Sequence, residues 1–232
     1  MSRLVKLSSV TAVTLSLTTT VFGATYTDTV GEALGGNPHI DIASVEIQNN
    51  STDIIFTINL AGDPITTDWG KYLVAIDSVP GGDPTGNGWA RPISMPSGMD
   101  YFIGSWVDWG DGAEVYSWNG ASWDLTQATY NPPSEILLPG KTSSSVTLTT
   151  SLSSLGLSAG DSFLLDVWTT GGGGTDSAVD ALSDPAQSIA DWAGPYTSYS
   201  QLAYTVVVPE PTTMALGALG VAALWTLRRR HR

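Results

Sequence analysis

The 232-residue chain contains no cysteine. Disulfides therefore cannot stabilise it, and the fold depends on packing, hydrogen bonds or bound ions. Basic residues are also scarce away from the two ends. Between residues 25 and 208, only Lys71, Arg91 and Lys141 stand against 21 acidic residues, a formal charge of −18. This charge argues against a nucleic-acid partner, because phosphate binding needs a basic surface.

The usual sequence signatures of catalysis are missing as well. His39 is the only histidine outside the C-terminal tail, and there is no Gly-x-Ser-x-Gly nucleophile turn, phosphate loop or metal-protease histidine pair. We therefore predict that the protein is not an enzyme. A carboxylate pair for glycoside hydrolysis stays open, since the separation of the two groups in space decides it.

The first 24 residues are typical of a secretory signal peptide. Arg3 and Lys6 provide the positive start, 10–21 is weakly apolar, and Phe22-Gly23-Ala24 ends in small residues. We predict three parts: a leader over 1–24, one domain over 25–208, and an anchor over 209–232.

The tail has three parts in a fixed order. Pro209-Glu210-Pro211 is followed by an uncharged apolar run of 16 residues, 212–227, and then by the basic cluster 228–232. This order resembles the PEP-CTERM sorting signal of Gram-negative bacteria that make exopolysaccharide. The resemblance implies a C-terminal hydrophobic helix that anchors the exported chain in the inner membrane. It also implies an exosortase as processing partner, and a final place at the cell surface or in the biofilm matrix. The alternative is a plain membrane anchor that is never cleaved.

The body alternates short β-like runs with clusters of glycine, proline, asparagine and aspartate. This pattern predicts an all-β fold, a single antiparallel β-sandwich, with alternate residues such as Tyr72, Val74 and Ile76 facing its core. The predicted strands are 40–47, 53–60, 71–77, 101–107, 113–118, 146–150, 163–168 and 202–208.

A second resemblance covers this body. Asn49-Asn50-Ser51-Thr52, Tyr72–Asp77 after Trp69, and Trp89-Ala90-Arg91 occur in an order that is similar to DOMON-like sandwiches, including family 9 carbohydrate-binding modules. The resemblance implies a sandwich that binds sugar or haem at one face or end. Haem-binding members use methionine and histidine ligands, so the single body histidine makes haem the weaker alternative.

Tryptophan is abundant, with eight of the nine in the body. Flat aromatic side chains stack on the apolar faces of sugar rings, but tryptophan is also a good core residue. By alternation we predict Trp106 in the core and Trp168 pointing outward. The predicted ligand-binding residues are those in glycine-rich loops: Trp89, Arg91, Trp109 and Trp123. The alternative for Arg91 is a structural ion pair with an aspartate.

Three acidic clusters have the oxygen ligands that calcium prefers. Asp176, Asp180 and Asp184 are the predicted site, because a spacing of four would place them on one helical face. Asp77 with Asp83, and the run from Asp108 to Glu114, are the other two. The alternative for each cluster is turn and cap chemistry.

We therefore expect an exported protein that binds extracellular polysaccharide without catalysis. The competing hypotheses are a structural matrix protein with no defined ligand and, third, a glycan-active enzyme.

Overall fold

The computed structural model describes residues 22–186, 191–198 and 200–207. These residues form fourteen β-strands and three short 3-10 turns, with no α-helix among them. Two antiparallel sheets, of five and seven strands, pack face to face, so the predicted all-β sandwich is confirmed. The predicted C-terminal helix, the sorting motif and most of the predicted leader lie outside the described residues.

The five-stranded sheet has the order β1-β2-β3-β10-β9. Its strands are β1 (Phe22–Thr27), β2 (Ile42–Asn49), β3 (Asp53–Leu60), β9 (Gly140–Thr142) and β10 (Ser145–Ser151). The seven-stranded sheet has the order β12-β11-β4-β6-β7-β8, and β14 pairs with the free part of the β11 edge. Its strands are β4 (Lys71–Asp77), β6 (Tyr101–Trp106), β7 (Gly112–Trp118), β8 (Trp123–Ala128), β11 (Ser162–Thr170), β12 (Ala178–Ala181) and β14 (Leu202–Thr205). A parallel pair, β5 (Ile93–Ser94) and β13 (Tyr196–Thr197), completes the set.

The main core lies between the two sheets and is mostly aliphatic. Strand β3 contributes Phe56, Ile58 and Leu60, which alternate with half-buried polar residues. Strand β4 contributes Tyr72, Val74 and Ile76 from the opposite sheet. The period of two in the sequence thus predicted the inward faces correctly, because successive side chains of a strand point to opposite faces.

A second core covers the outer face of the seven-stranded sheet. Residues 83–99 and 171–177, together with Tyr196, cover the outward side chains of the central strands; we call these segments the outer layer. Leu73 and Ala75 of β4 are fully buried beneath it, so this strand is buried on both faces. The second core also contains Phe102, Trp168, Ile93, Met95, Met99, Ala178 and Ala181.

The outer layer changes two predictions for tryptophan. Trp168 does point away from the main core, but it is fully buried beneath the outer layer, so the expectation that it faces outward into solvent is wrong. Trp106 lies on the same outer face as Phe102, but it is only half-buried and contributes to neither core cluster, so the prediction that it lies in the core is wrong. Alternation indicates which face a residue occupies, whereas the loops decide whether that face is covered.

All eight predicted strands are present, and six further strands, β1, β5, β8, β9, β12 and β13, were not predicted. Strand β1 begins at Phe22 and pairs residues 22–24 with 47–49 of β2. The first strand therefore includes the last residues of the predicted leader.

Candidate functional site

The outer face of the seven-stranded sheet is rich in aromatic rings where the outer layer ends. Glycine makes room for them on the sheet surface. A Cβ atom at Gly104 would lie 2.4 Å from the ring of Trp89, and one at Gly112 would lie 2.0 Å from the ring of Trp106. No larger residue fits at either position without moving an indole, so both rings lie directly against the backbone of the sheet.

Three of these rings form a continuous row, which we call the aromatic strip: Trp89, Trp106 and Tyr130. The ring centroids of Trp89 and Trp106 are 6.2 Å apart with a tilt of 39°, and those of Trp106 and Tyr130 are 6.5 Å apart with a tilt of 36°. Both indoles are half-buried, and Tyr130 is 61% exposed. The strip therefore presents ring surface to solvent from a rigid support.

Glu114 of β7 holds the strip together. Its Oε2 accepts hydrogen bonds from Trp89 Nε1 at 2.7 Å and from the Tyr116 hydroxyl at 3.0 Å, while its Oε1 accepts from the Tyr130 hydroxyl. The bond to Glu114 raises the pKa of Tyr130 to about 12, and burial, followed by the Glu114 charge, raises the pKa of Tyr116. Both tyrosines are therefore neutral donors at physiological pH.

A cleft of about 380 Å³ opens beside the strip, lined by Gly88, Trp89, Ala90, Arg91, Tyr116 and Gly174. Arg91 is only 6% exposed, and its Nη1 donates to the carbonyl oxygens of Gly173 at 2.7 Å and Asp176 at 2.9 Å. Its guanidinium carbon lies 5.4 Å from the centre of the Trp89 ring, within cation–π range. Arg91 thus joins the two segments of the outer layer, and its partners are carbonyl groups rather than the predicted aspartate carboxylate.

The four predicted ligand residues have different places. Trp89 and Arg91 share the cleft. Trp123, at the start of β8, lies elsewhere on the same face, where its Nε1 donates to Asp83 at 2.9 Å and its ring centroid is 6.4 Å from that of Phe102. Trp109 lies in the turn between β6 and β7, is 97% exposed, and makes no ring contact with the described aromatics. The structure therefore brings Trp89 and Arg91 together and leaves Trp109 apart.

Sequence reasoning missed Trp106, Glu114, Tyr116 and Tyr130 as parts of this site. The sequence pattern of β7 could have indicated two of them. Glu114 and Tyr116 alternate with the buried Ala113 and Val115, so they must lie together on the opposite face of the strand. Tyr130 has no such signal, because it follows β8 in an irregular segment.

The predicted metal site does not form as expected. Asp180 lies in the extended strand β12, so the spacing of four does not place it on a helical face with Asp176 and Asp184. Asp176 instead accepts a hydrogen bond from the Gly173 amide at 2.8 Å, in a turn. Among the described residues, the one group with metal-ligand spacing combines Asp180 with Asp28 and Glu32.

We call Asp28, Glu32 and Asp180 the carboxylate cluster. Burial and the charges of Asp28 and Glu32 raise the pKa of Asp180 to about 8. Burial also raises the pKa of Asp28 to about 7, despite an opposing hydrogen bond from the Thr29 amide. The pKa of Glu32 is raised by burial and by the charge of neighbouring Asp41. Each shift has the direction expected for like charges that share a poorly solvated site.

The other two acidic clusters have structural partners. Asp108 forms an ion pair with Lys71 at 2.9 Å, and Asp111 forms one with Lys141 at 2.6 Å. Asp83 accepts the amide hydrogens of Thr85 at 2.9 Å and Gly86 at 3.0 Å, as in an Asx turn. The turn alternative thus fits Asp83, whereas Asp108 and Asp111 are held in ion pairs that were not predicted.

The comparisons with known proteins concern the tail. Residues 207–230 match the PEP-CTERM protein-sorting motif, which confirms the resemblance stated for Pro209-Glu210-Pro211. No curated protein and no solved structure matches the chain, so the likeness of the body to DOMON-like sandwiches stays a prediction. Within the described residues, no helix has the length and apolar character needed to cross a membrane. The chain carries a PEP-CTERM sorting motif and is thus an exported protein that is sorted by an exosortase, with a C-terminal membrane anchor before processing.

Proposed function

We propose that this exported sandwich binds an extracellular polysaccharide along the aromatic strip, without catalysis, at the cell surface or in the matrix. The observation that supports the proposal is the partly exposed row of Trp89, Trp106 and Tyr130, whose two end residues donate to Glu114. Sugar rings have apolar C–H faces that stack on aromatic rings, while the hydroxyl groups need polar partners nearby. A rigid row of rings beside a cleft fits a chain of sugar units better than a single small molecule.

The charge of the body favours a neutral glycan. Its three basic residues are already engaged, Lys71 and Lys141 by aspartates and Arg91 by carbonyl oxygens. An acidic sugar would approach a surface of net negative charge. Arg91, the basic residue in the cleft lining, is only 6% exposed, and its Nη1 already donates to two carbonyl oxygens. Binding without turnover is favoured because both oxygens of Glu114 accept bonds from the aromatic residues that they orient.

The test is retention of the purified full-length chain by immobilised neutral and uronic-acid polysaccharides. Trp106→Ala removes the central ring of the strip and should weaken retention by about thirtyfold, the loss of a binding hot spot. Trp109→Ala is the matched control, because it removes the same side chain from a fully exposed turn. Its retention should equal that of the wild type.

The outcomes separate the competing functions. If Trp106→Ala binds as the wild type does while Trp109→Ala does not, the glycan site lies at the β6–β7 turn instead. If the wild type binds none of the polysaccharides, a structural role in the matrix replaces the binding proposal. Release of shortened sugar products would contradict the claim that binding occurs without catalysis.

The sorting route is tested in the tail. Pro209→Ala combined with Pro211→Ala should leave the chain in the inner membrane with an intact C-terminus, as read by mass spectrometry of membrane fractions. Pro80→Ala with Pro84→Ala is the control, because it removes two exposed prolines from a loop outside the motif. Processing of both variants at the wild-type level would mean that the prolines do not direct the exosortase.

A further inference from the structure

The carboxylate cluster joins distant parts of the chain at one edge of the sandwich. Asp28 directly follows β1, Glu32 lies four residues later, and Asp180 belongs to β12 of the opposite sheet. One carboxylate oxygen from each residue lies within 4.8 Å of those of the other two. Asp180 is completely buried, and Asp28 and Glu32 are half-buried. Three carboxylates at this separation cannot all ionise without strong mutual repulsion, because the place is poorly solvated.

A second observation concerns the oxygens that have no donor. Asp28 Oδ2, Asp41 Oδ1 and both carboxylate oxygens of Glu32 are buried without a hydrogen-bond partner. Asp41 is only 5% exposed; its Oδ2 accepts the Gly31 amide at 2.8 Å, and its charge acts on both Asp28 and Glu32. Asp41 therefore borders the cluster with one free, buried oxygen.

The contrast with Asp166 shows that the chain can satisfy a buried carboxylate by hydrogen bonds. Asp166 is also completely buried, but it accepts bonds from Trp168 Nε1 and from the hydroxyls of Ser183 and Ser198 at 2.6–2.8 Å. Buried polar groups in folded proteins nearly always have such partners. The four unpartnered carboxylate oxygens of Asp28, Glu32 and Asp41 are an exception to this rule, and a bound cation would supply the partner that they lack.

A cation is the kind of ligand that buried carboxylate oxygens would bind. The three basic residues of the body are engaged elsewhere, so no lysine or arginine in the described part of the chain neutralises the cluster. We propose that Asp28, Glu32 and Asp180 bind one calcium ion, with the free oxygen of Asp41 at the border of the site as a further ligand. Calcium takes six to eight oxygen ligands in flexible geometry, whereas magnesium requires a near-ideal octahedron and keeps several waters. A set of irregularly placed carboxylates from a loop and a strand fits calcium.

The ion would connect the segment between β1 and β2 to the edge of the seven-stranded sheet. Asp180 Oδ2 already accepts the amide hydrogen of Ile42 at 2.5 Å, where β2 begins. With no cysteine in the chain, a calcium ion would fasten the two sheets at this edge in the way a disulfide does in other exported proteins.

The experiment uses the purified full-length chain, stripped of metals with a chelator and titrated with calcium or magnesium chloride. Calorimetry should detect one calcium ion per chain. At a calcium concentration a hundredfold above Kd, the melting temperature should rise by about 5–10 °C, since the ion binds the folded state alone. Magnesium at the same concentration should give a clearly smaller shift.

Glu32→Gln is the decisive variant, and Glu46→Gln is its matched control on the outer surface of β2. Glu32→Gln removes one repelling charge, so in chelator it should melt at or above the wild-type temperature, and calcium should no longer raise that temperature. Glu46→Gln should keep the full calcium response. If Glu32→Gln does not fold, Asp28→Asn provides the same comparison.

Three results would overturn the proposal. Equal shifts from calcium and magnesium would indicate general charge screening. A wild-type calcium response in both Glu32→Gln and Asp28→Asn would place the ion elsewhere. Absence of calcium binding in calorimetry would leave the carboxylates as protonated groups without an ion.

Discussion

The two faces of the seven-stranded sheet bury their side chains in different ways. The inner face packs mostly aliphatic residues against another sheet, and its side chains have few polar atoms to satisfy. The outer face buries larger aromatic residues beneath loops, and three of its indoles donate to a carboxylate: Trp168 to Asp166, Trp89 to Glu114, and Trp123 to Asp83. An indole N–H needs an acceptor when it is buried. The outer face is thus stabilised by hydrogen-bonded pairs as well as by apolar contact.

This difference separates stability from function. A face packed against another sheet cannot admit a ligand, whereas a face covered by loops can leave some of its rings exposed. Trp168 is completely buried, while Trp106 is half-buried at the margin of the same layer. The place where the covering segments end therefore determines which aromatic residues can contact a ligand.

The largest expected effect compares two completely buried phenylalanines. Phe56→Ala in the main core should lower the free energy of unfolding by about 3–5 kcal/mol, because neighbouring strands cannot move into the cavity. Phe102→Ala beneath the outer layer should fall at the lower end of this range, since loops relax more easily. Denaturant unfolding of both variants gives the comparison. Equal losses would show that the outer layer is as rigid as the main core.

The polar pairing of the outer face is tested by Trp168→Phe. The variant keeps an aromatic ring but removes the indole Nε1, which donates to Asp166 at 2.8 Å. Because a buried acceptor loses this donor, we expect the free energy of unfolding to fall by about 1–3 kcal/mol. Trp109→Phe, at a 97% exposed position, should change it by less than about 0.5 kcal/mol. A Trp168→Phe variant as stable as the wild type would mean that the indole contributes only through packing.

Trp106→Ala should affect stability less than either core deletion. A half-buried indole loses part of the ~1.5–3 kcal/mol that full burial of a large apolar side chain provides, so we expect about 1–2 kcal/mol. Thermal and denaturant unfolding measure this value beside the retention assay. A loss above about 3 kcal/mol would indicate that the aromatic strip is a structural part of the sandwich.

The smallest global effect is expected for Arg91→Met. This change removes the two bonds from Nη1 to the carbonyl oxygens of Gly173 and Asp176 while it keeps most of the side-chain volume. Amide hydrogen exchange in residues 171–177 should become about 5–150 times faster, the equivalent of one to three kcal/mol of local opening. Exchange in β3 and β4 should stay at the wild-type rate. Faster exchange throughout the chain would show that the outer layer does not open independently.

Eight of the fourteen described strands, and the inward faces of the longer ones, could be predicted from local sequence pattern. Alternation in β3 and β4 assigned Phe56 and Tyr72 to the core, since a strand has a period of two. Short strands such as β5, β12 and β13 have two to four residues, too few for a period to show. The tail motif Pro209-Glu210-Pro211 could also be recognised, because its parts are adjacent in the chain.

Tertiary structure alone decided the two candidate sites. Trp89 reaches Glu114 across 25 positions, and Asp28 meets Asp180 across a far longer stretch of chain, so no local spacing records either contact. The helical face predicted for Asp176, Asp180 and Asp184 is wrong, because Asp180 lies in the extended strand β12. The alternation of buried and exposed residues in a strand follows from backbone geometry, so it is visible in the sequence of that strand alone. The contacts that form a site depend on how the loops pack against the sheets, and this packing involves residues from the whole chain.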